Sequence, residues 1–273
     1  MRTTSLAVPG ADHAVRDVTW FAGLALLLTA AAAAGATALG PGLQFLLALG
    51  PAVIALVLAW RTGTLRQLIG TIRKRPAERR WYAVAILVPV IVSLGVVAVV
   101  MVLGMPNTGF LSGLTVTAAI LPLVVFLPAL AEEFAWRGFA FARLLGSMSP
   151  LAASLVLAAP WAVVHLALYL PGQPLEGTAV WPSVVSIVAM SVLTGWLYVR
   201  TGGSVLITTL FHTASNATTP LTWSVDPAAA WAIRPVLLGV FALAIVVLGG
   251  LRSPEPRRSD PRPASPALTG AVR

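Results

Sequence analysis

The sequence predicts an all-α protein, a polytopic membrane bundle of about eight transmembrane helices. The first observation is composition: the 273-residue chain is 58% hydrophobic and only 10% charged, whereas soluble domains have roughly 25% charged residues. The second is a mean hydropathy of +0.89. The third is that the apolar residues form long stretches, many of about 18 residues or more, which is the length that crosses a hydrocarbon core of roughly 30 Å.

The apolar stretches give the order of the predicted helices. They lie at residues 20–39, 43–60, 81–104, 115–145, 150–170, 181–199, 203–220 and 231–251. Residues 1–19 carry charges and a proline, and no tidy cleavage site follows the first stretch. We therefore interpret 1–19 as a cytoplasmic tail and the first stretch as a retained helix, not a removed signal peptide.

The basic residues predict that both termini lie in the cytoplasm. Cytoplasmic loops retain Lys and Arg, and with the N-terminus inside, all of the 18 basic residues except Arg234 lie on or lead toward that side. The basic segment 61–80, RTGTLRQLIGTIRKRPAERR, is predicted to form an interfacial helix on the anionic inner leaflet. The Pro-, Arg- and Ser-rich tail 252–273 is predicted to be disordered. Topology thus accounts for the net charge of +9, and we expect membrane lipids, not nucleic acid, as partners.

Two adjacent carboxylates lie inside the predicted spans. Of the nine acidic residues, all but Glu132 and Glu133 fall in termini or loops. An ionisable group within a span costs about 3 kcal/mol unless it is paired or hydrated. The two glutamates are therefore interpreted as functional, and a Glu–Arg pair that only locks two helices together is the alternative.

Helical phase separates the two carboxylates. Glu133 and Arg137 are four residues apart and share a face, which favours an ion pair. Glu132 points about 100° away from Glu133 and about 140° away from Arg137. The spacing therefore predicts that Arg137 engages Glu133 and leaves Glu132 free.

Two histidines and an asparagine are the other polar groups of interest in the spans. His165 lies four residues after Trp161, and His212 lies four residues before Asn216, so each pair shares a helix face. With Glu132, these groups reach similar depths, roughly 14 to 22 Å from the cytoplasmic turns at about 1.5 Å per residue. A carboxylate, two imidazoles and a carboxamide in one layer suit the activation of water. A histidine that only hydrogen-bonds two helices is the alternative for either one alone.

The order of these motifs resembles a known family. Glu-Glu-x-x-x-Arg at 132–137, aromatic-x-x-x-His at 161–165 and Phe-His-x-x-x-Asn at 211–216 resemble the motifs of the CPBP intramembrane proteases. That family includes the CAAX prenyl endopeptidases and proteins linked to bacteriocin self-immunity. The resemblance covers roughly residues 115–220. Trp161 stands where Phe is usual, which bears on the shape of the pocket more than on catalysis.

The resemblance implies an endopeptidase that acts within or near the membrane. Its core would be 115–220, preceded by three helices within 20–114 and followed by a last helix at 231–251. The implied catalytic residues are Glu132, His165, His212 and Asn216, with Glu133, Arg137 and Trp161 as structural support. The first two catalytic residues would hold and deprotonate the attacking water. The other two would donate hydrogen bonds to the oxyanion.

The family is also described as metal-dependent, and the sequence leaves a zinc alternative open. Glu132, His165 and His212 could supply three zinc ligands with an open fourth position. Against zinc, His-Glu-x-x-His is absent, and Asn216 is a poor zinc ligand but a good oxyanion donor. The chain has no cysteine, which excludes thiolate ligands and nucleophiles. We therefore favour a mechanism without a metal or other cofactor.

The sequence leaves two non-proteolytic functions open. A non-catalytic immunity or scaffold protein could keep the motifs for stability, and a transporter could use the polar layer, although no internal repeat marks one.

The Ala- and Arg-rich, Lys-poor composition predicts a multi-pass protein of a bacterial plasma membrane. Prenylated CAAX proteins are not expected there, so the predicted substrate is a membrane-associated peptide or protein of unspecified sequence.

Overall fold

The protein is all-helical, as predicted. The computed structural model describes residues 11–35, 38, 42–76, 78–108 and 116–251, and no strand forms within these ranges. The α-helices longer than one turn are α1 (Ala11–Ala34), α2 (Gly42–Arg61), α3 (Leu65–Arg73), α4 (Arg80–Val102), α5 (Val116–Glu133), α6 (Pro150–Leu166), α7 (Trp181–Arg200), α8 (Val205–Ala217) and α9 (Pro227–Val247). The predicted disordered tail at 252–273 lies outside the described residues.

The helices confirm a multi-pass membrane architecture. Within the described ranges, six helical segments are long and apolar enough to cross a membrane, and they overlap α1, α4, α5, α6, α7 and α9. The predicted second span corresponds to α2, whose apolar part Leu46–Arg61 is shorter. The predicted seventh corresponds to α8, which has 13 residues. The count of eight spans and the N-in, C-in orientation stay predictions.

Part of the predicted N-terminal tail is helical: α1 begins at Ala11, whereas the predicted span begins at residue 20. Asp17, in this added part, pairs with Arg143 at 3.4 Å. Arg143 also donates to the Thr64 hydroxyl at 2.7 Å, next to the start of α3. The Arg143 guanidinium thus links its own segment, which follows α5, to α1 and to the connection between α2 and α3.

The basic segment 61–80 contains the short amphipathic helix α3. Its Leu68 and Thr71 are buried, whereas Arg66 and Arg73 are exposed. The buried face lies against Gly138, where an added Cβ would come within 3.2 Å of Leu68 and 3.3 Å of Thr71. A glycine therefore permits the close approach of α3, and the location of α3 at the inner leaflet stays a prediction.

A π-helical segment, Phe134–Phe141, continues α5 and is followed by one α-helical turn, Ala142–Leu144. Every residue of the π-helical segment is buried. Hydrogen bonds in a π-helix reach one residue further than in an α-helix, and such segments occur frequently at functional sites. The sequence pattern predicts a regular α-helix here, because π geometry depends on tertiary packing that periodicity does not reveal.

Aromatic packing fixes this π-helical segment against α1. The ring of Phe21 lies 5.1 Å from that of Trp136 and 5.5 Å from that of Phe139, centroid to centroid, and all three side chains are buried. Aromatic pairs of this kind contribute about 0.5–1.5 kcal/mol each beyond their buried area. On its other sides α5 packs against α2 and α8, and α6 packs against α7. Hydrogen bonds join the glutamates at the end of α5 to α6 and α8.

Candidate active site

Glu133 and Arg137 form a buried ion pair, as their four-residue spacing predicts. Arg137 Nη1 lies 3.2 Å from Glu133 Oε1, and the two side chains are 2% and 0% exposed. The Arg137 guanidinium also lies over the ring of Trp161, 4.2 Å from its centroid, a cation–π geometry. The pair forms although Arg137 belongs to the π-helical segment.

His212 shares the same carboxylate. Its Nδ1 lies 3.0 Å from Glu133 Oε1, so one oxygen accepts from both Arg137 and His212. This contact joins α8 to the end of α5. A carboxylate partner at Nδ1 fixes the tautomer and the orientation of the ring, which directs Nε2 away from Glu133.

Glu132 makes a hydrogen bond that the sequence pattern does not reveal. Trp161 Nε1 donates to Glu132 Oε2 at 2.9 Å, so the carboxylate predicted to be free has a neutral partner on α6. It forms no salt bridge within the described residues. The replacement of the usual Phe by Trp therefore adds a donor as well as bulk. The sequence signal for this hydrogen bond is Trp161 itself, because its indole N–H is a donor that Phe lacks.

His165 is oriented by its own helix. Its Nδ1 lies 2.9 Å from the Trp161 carbonyl oxygen. Because a carbonyl only accepts, Nδ1 carries the proton, and Nε2 of the neutral ring keeps its lone pair. Trp161 therefore positions both Glu132 and His165, one through its indole and the other through its backbone.

Two cavities meet at these residues. The smaller, about 350 Å³, is lined by Glu132, His165 and Asn216 together with apolar residues of α2 and α5 and with Leu168, which follows α6. The larger, about 570 Å³, is lined by residues of α6, α7, α8 and α9 and includes His212. His165 and Asn216 line both cavities. Together these two residues form what we call the septum between the cavities.

The zinc alternative that the sequence leaves open stays a prediction. Within the described ranges, no group of three or more His, Asp and Glu side chains converges to hold a metal ion. Glu132 and His212 line different cavities, and His212 Nδ1 is bonded to Glu133. No step proposed below is therefore routed through a metal.

Arg234 is a residue of this region that sequence reasoning missed. The predicted topology would put it on the outer side, and in the structure it lies within α9 and lines the larger cavity. It donates to the Ser215 carbonyl and hydroxyl and to the Thr219 hydroxyl. The sequence signal that identifies Arg234 is its position inside the last apolar stretch, 231–251.

One comparison with known proteins bears on this arrangement. Residues 113–218 match the family model described as "Type II CAAX prenyl endopeptidase Rce1-like". No curated protein matches the chain. The matched region includes the three motifs and confirms the resemblance that they indicate. It ends before Arg234.

Proposed function

Because residues 113–218 match the Rce1-like family model of type II CAAX prenyl endopeptidases, we propose that the protein hydrolyses peptide bonds of membrane-associated peptides or proteins. The observation that carries the proposal is the septum. Glu132, which forms no salt bridge within the described ranges, lines the same cavity as His165 and Asn216. A carbonyl at this septum would meet a base and hydrogen-bond donors together.

Glu132 and His165 are the proposed water-binding pair. Trp161 engages Glu132 Oε2, so Oε1 is available to accept a hydrogen bond from water. His165 Nε2 is available in the same way, because Nδ1 is bonded to a backbone carbonyl. Two acceptors can orient one water so that its oxygen lone pair faces the carbonyl carbon.

The reaction needs no redox change and no group beyond water. Glu132 takes a proton as the water oxygen bonds to the carbonyl carbon, and the carbonyl π electrons move to oxygen. When the oxyanion collapses, the C–N bond breaks, and the proton passes from Glu132 to the leaving amine. Glu132 thus acts first as general base and then as general acid.

Asn216 and His212 are the proposed oxyanion donors. Asn216 offers its amide N–H groups. With Nδ1–H bonded to Glu133, His212 can donate from Nε2 only as an imidazolium. Two carboxylates, Glu132 and Glu133, then face two cations, Arg137 and imidazolium, so that the local charge balances. Preorganised donors of this kind are worth about 10²- to 10³-fold in kcat each.

We propose that the enzyme works without a metal or other cofactor in the plasma membrane of a bacterium, with lipids as its surroundings. The location rests on composition, and the metal-free mechanism rests on Asn216, which is a poor zinc ligand but a good oxyanion donor. The substrate class follows from the family and from a site built among apolar helices. Zinc-dependent hydrolysis by the same residues is the alternative outcome of the test.

The test measures cleavage of a fluorogenic peptide library by the purified protein in proteoliposomes. We expect Glu132→Gln to lower the rate at least about 100-fold, while the exposed control Glu78→Gln leaves it unchanged. A chelator is expected to have no effect on the wild type. Full activity of Glu132→Gln would exclude Glu132 as the base, and chelator inhibition reversed by zinc would establish the metal alternative.

A further inference from the structure

We propose that Arg234 binds a carboxylate of the peptide substrate inside the larger cavity and so selects the peptides that the site accepts. The inference rests on the proposed function, because it concerns a ligand of the same site. The carboxylate is either the C-terminal one or that of an Asp or Glu side chain. The experiment below distinguishes these two sources.

Arg234 places a charge within an apolar helix. Arg234 is the one ionisable residue in the sequence of α9, which is otherwise apolar, and α9 is among the helices able to span a membrane. A cation placed within a span is costly and marks a functional site by default. Its position therefore calls for a function that a neutral side chain would not serve.

The hydrogen-bond partners of Arg234 are neutral. The guanidinium donates to the Ser215 carbonyl, to the Ser215 hydroxyl at 3.0 Å and to the Thr219 hydroxyl at 3.2 Å. Within the described ranges, Arg234 forms no salt bridge with a carboxylate. These acceptors leave its positive charge uncompensated, and the planar fork of donors suits a carboxylate in particular.

The described lining of the larger cavity contains few ionisable residues. Among the described residues that line it, none is Asp or Glu, and besides the histidines Arg234 is the only ionisable one. The volume of about 570 Å³ lies within the range of roughly 300–1,000 Å³ found for small-ligand sites. The septum residues His165 and Asn216 line the same space. A peptide held by Arg234 would therefore extend toward the proposed reaction centre.

A purely structural role for Arg234 makes a different prediction. Ser215 lies in the last turn of α8, where carbonyl groups lack helical partners and a nearby cation is favourable. If Arg234 only completes that helix end, its removal will affect all peptides alike. If it binds a carboxylate, its removal will affect only peptides that carry one.

The experiment measures binding and cleavage separately. Matched fluorescent peptides from the library are prepared as free acids and as C-terminal amides, each with an internal Glu or Gln. Binding is measured by anisotropy in the Glu132→Gln background, so that it does not depend on turnover. Arg234→Gln removes the charge but keeps hydrogen-bonding capacity, and Arg234→Lys keeps the charge.

We expect one carboxylate form to bind about 10- to 100-fold more tightly than its neutral match. Arg234→Gln should abolish this preference, while Arg234→Lys should retain part of it. In the otherwise wild-type enzyme the same preference should appear in KM more than in kcat. The form that loses affinity on neutralisation, free acid or internal Glu, identifies the source of the carboxylate.

Equal binding of the charged and neutral forms, or an equal loss for both in Arg234→Gln, overturns the inference. Absent binding of every form overturns it as well. Selective binding without any cleavage by the wild type would instead support the inference and contradict the proposed hydrolysis. The two proposals therefore fail in distinguishable ways.

Discussion

Trp161 donates its indole N–H to Glu132 at 2.9 Å, and its own carbonyl oxygen lies 2.9 Å from His165 Nδ1. A single residue of α6 thereby sets the orientation of both groups that are proposed to hold the attacking water. The relationship depends on the indole nitrogen, which phenylalanine lacks. It gives the first testable prediction.

Trp161→Phe should lower kcat roughly 10-fold, since it removes one hydrogen bond to a charged group and keeps an aromatic ring. The backbone bond to His165 is retained, so activity should be reduced and not abolished. Cleavage kinetics on the best library peptide provide the measurement. Trp60→Phe is the matched control, because Trp60 is 69% exposed, and an unchanged kcat in Trp161→Phe would contradict the positioning role.

Glu133→Ala should destabilise the fold by about 3–5 kcal/mol, because it leaves the buried Arg137 without its carboxylate. His212 loses its partner at the same time. Equilibrium unfolding in mixed micelles measures the free energy of unfolding. Glu133→Ala combined with Arg137→Met should recover part of the loss, since the buried guanidinium that has lost its carboxylate is then removed as well.

The control for this prediction is the exposed pair of Glu78 and Arg80. Its side chains are 55% and 66% exposed, so Glu78→Ala should change the free energy of unfolding by about 1 kcal/mol or less. Similar losses at both pairs would show that burial does not determine the contribution of Glu133.

Gly138→Ala should lower the free energy of unfolding by about 1–3 kcal/mol through overpacking. Its Cβ would meet side chains of Leu68, Thr71 and Val205 at 3.2–3.3 Å. Gly70→Ala is the control, because a Cβ there meets nothing within 4 Å and alanine favours a helix. The same unfolding assay compares the two, and a Gly138→Ala protein as stable as the wild type would show that α3 can move away without cost.

The sequence predicts the features that depend on local periodicity. Apolar length indicates the membrane helices, and the four-residue spacing indicates the bond between Glu133 and Arg137. Both follow from the geometry of a single helix. The all-helical class and the family resemblance follow from the same local patterns.

The features that the sequence does not predict depend on contacts between helices. The bond from Trp161 to Glu132 needs the relative rotation of α5 and α6, and the sharing of Glu133 by His212 needs the position of α8. The π-helical segment depends on its buried surroundings. Arg234 escapes notice because a topology argument counts charges without asking which side chains face a cavity.

The septum formed by His165 and Asn216 has a kinetic consequence for an enzyme that cuts there. The two fragments of one peptide would come to lie in the two different cavities, whose linings share only His165 and Asn216. Each fragment would then block only its own half of the binding surface. Added singly, the two products should act as independent inhibitors of unequal strength, and the slower departure should limit turnover.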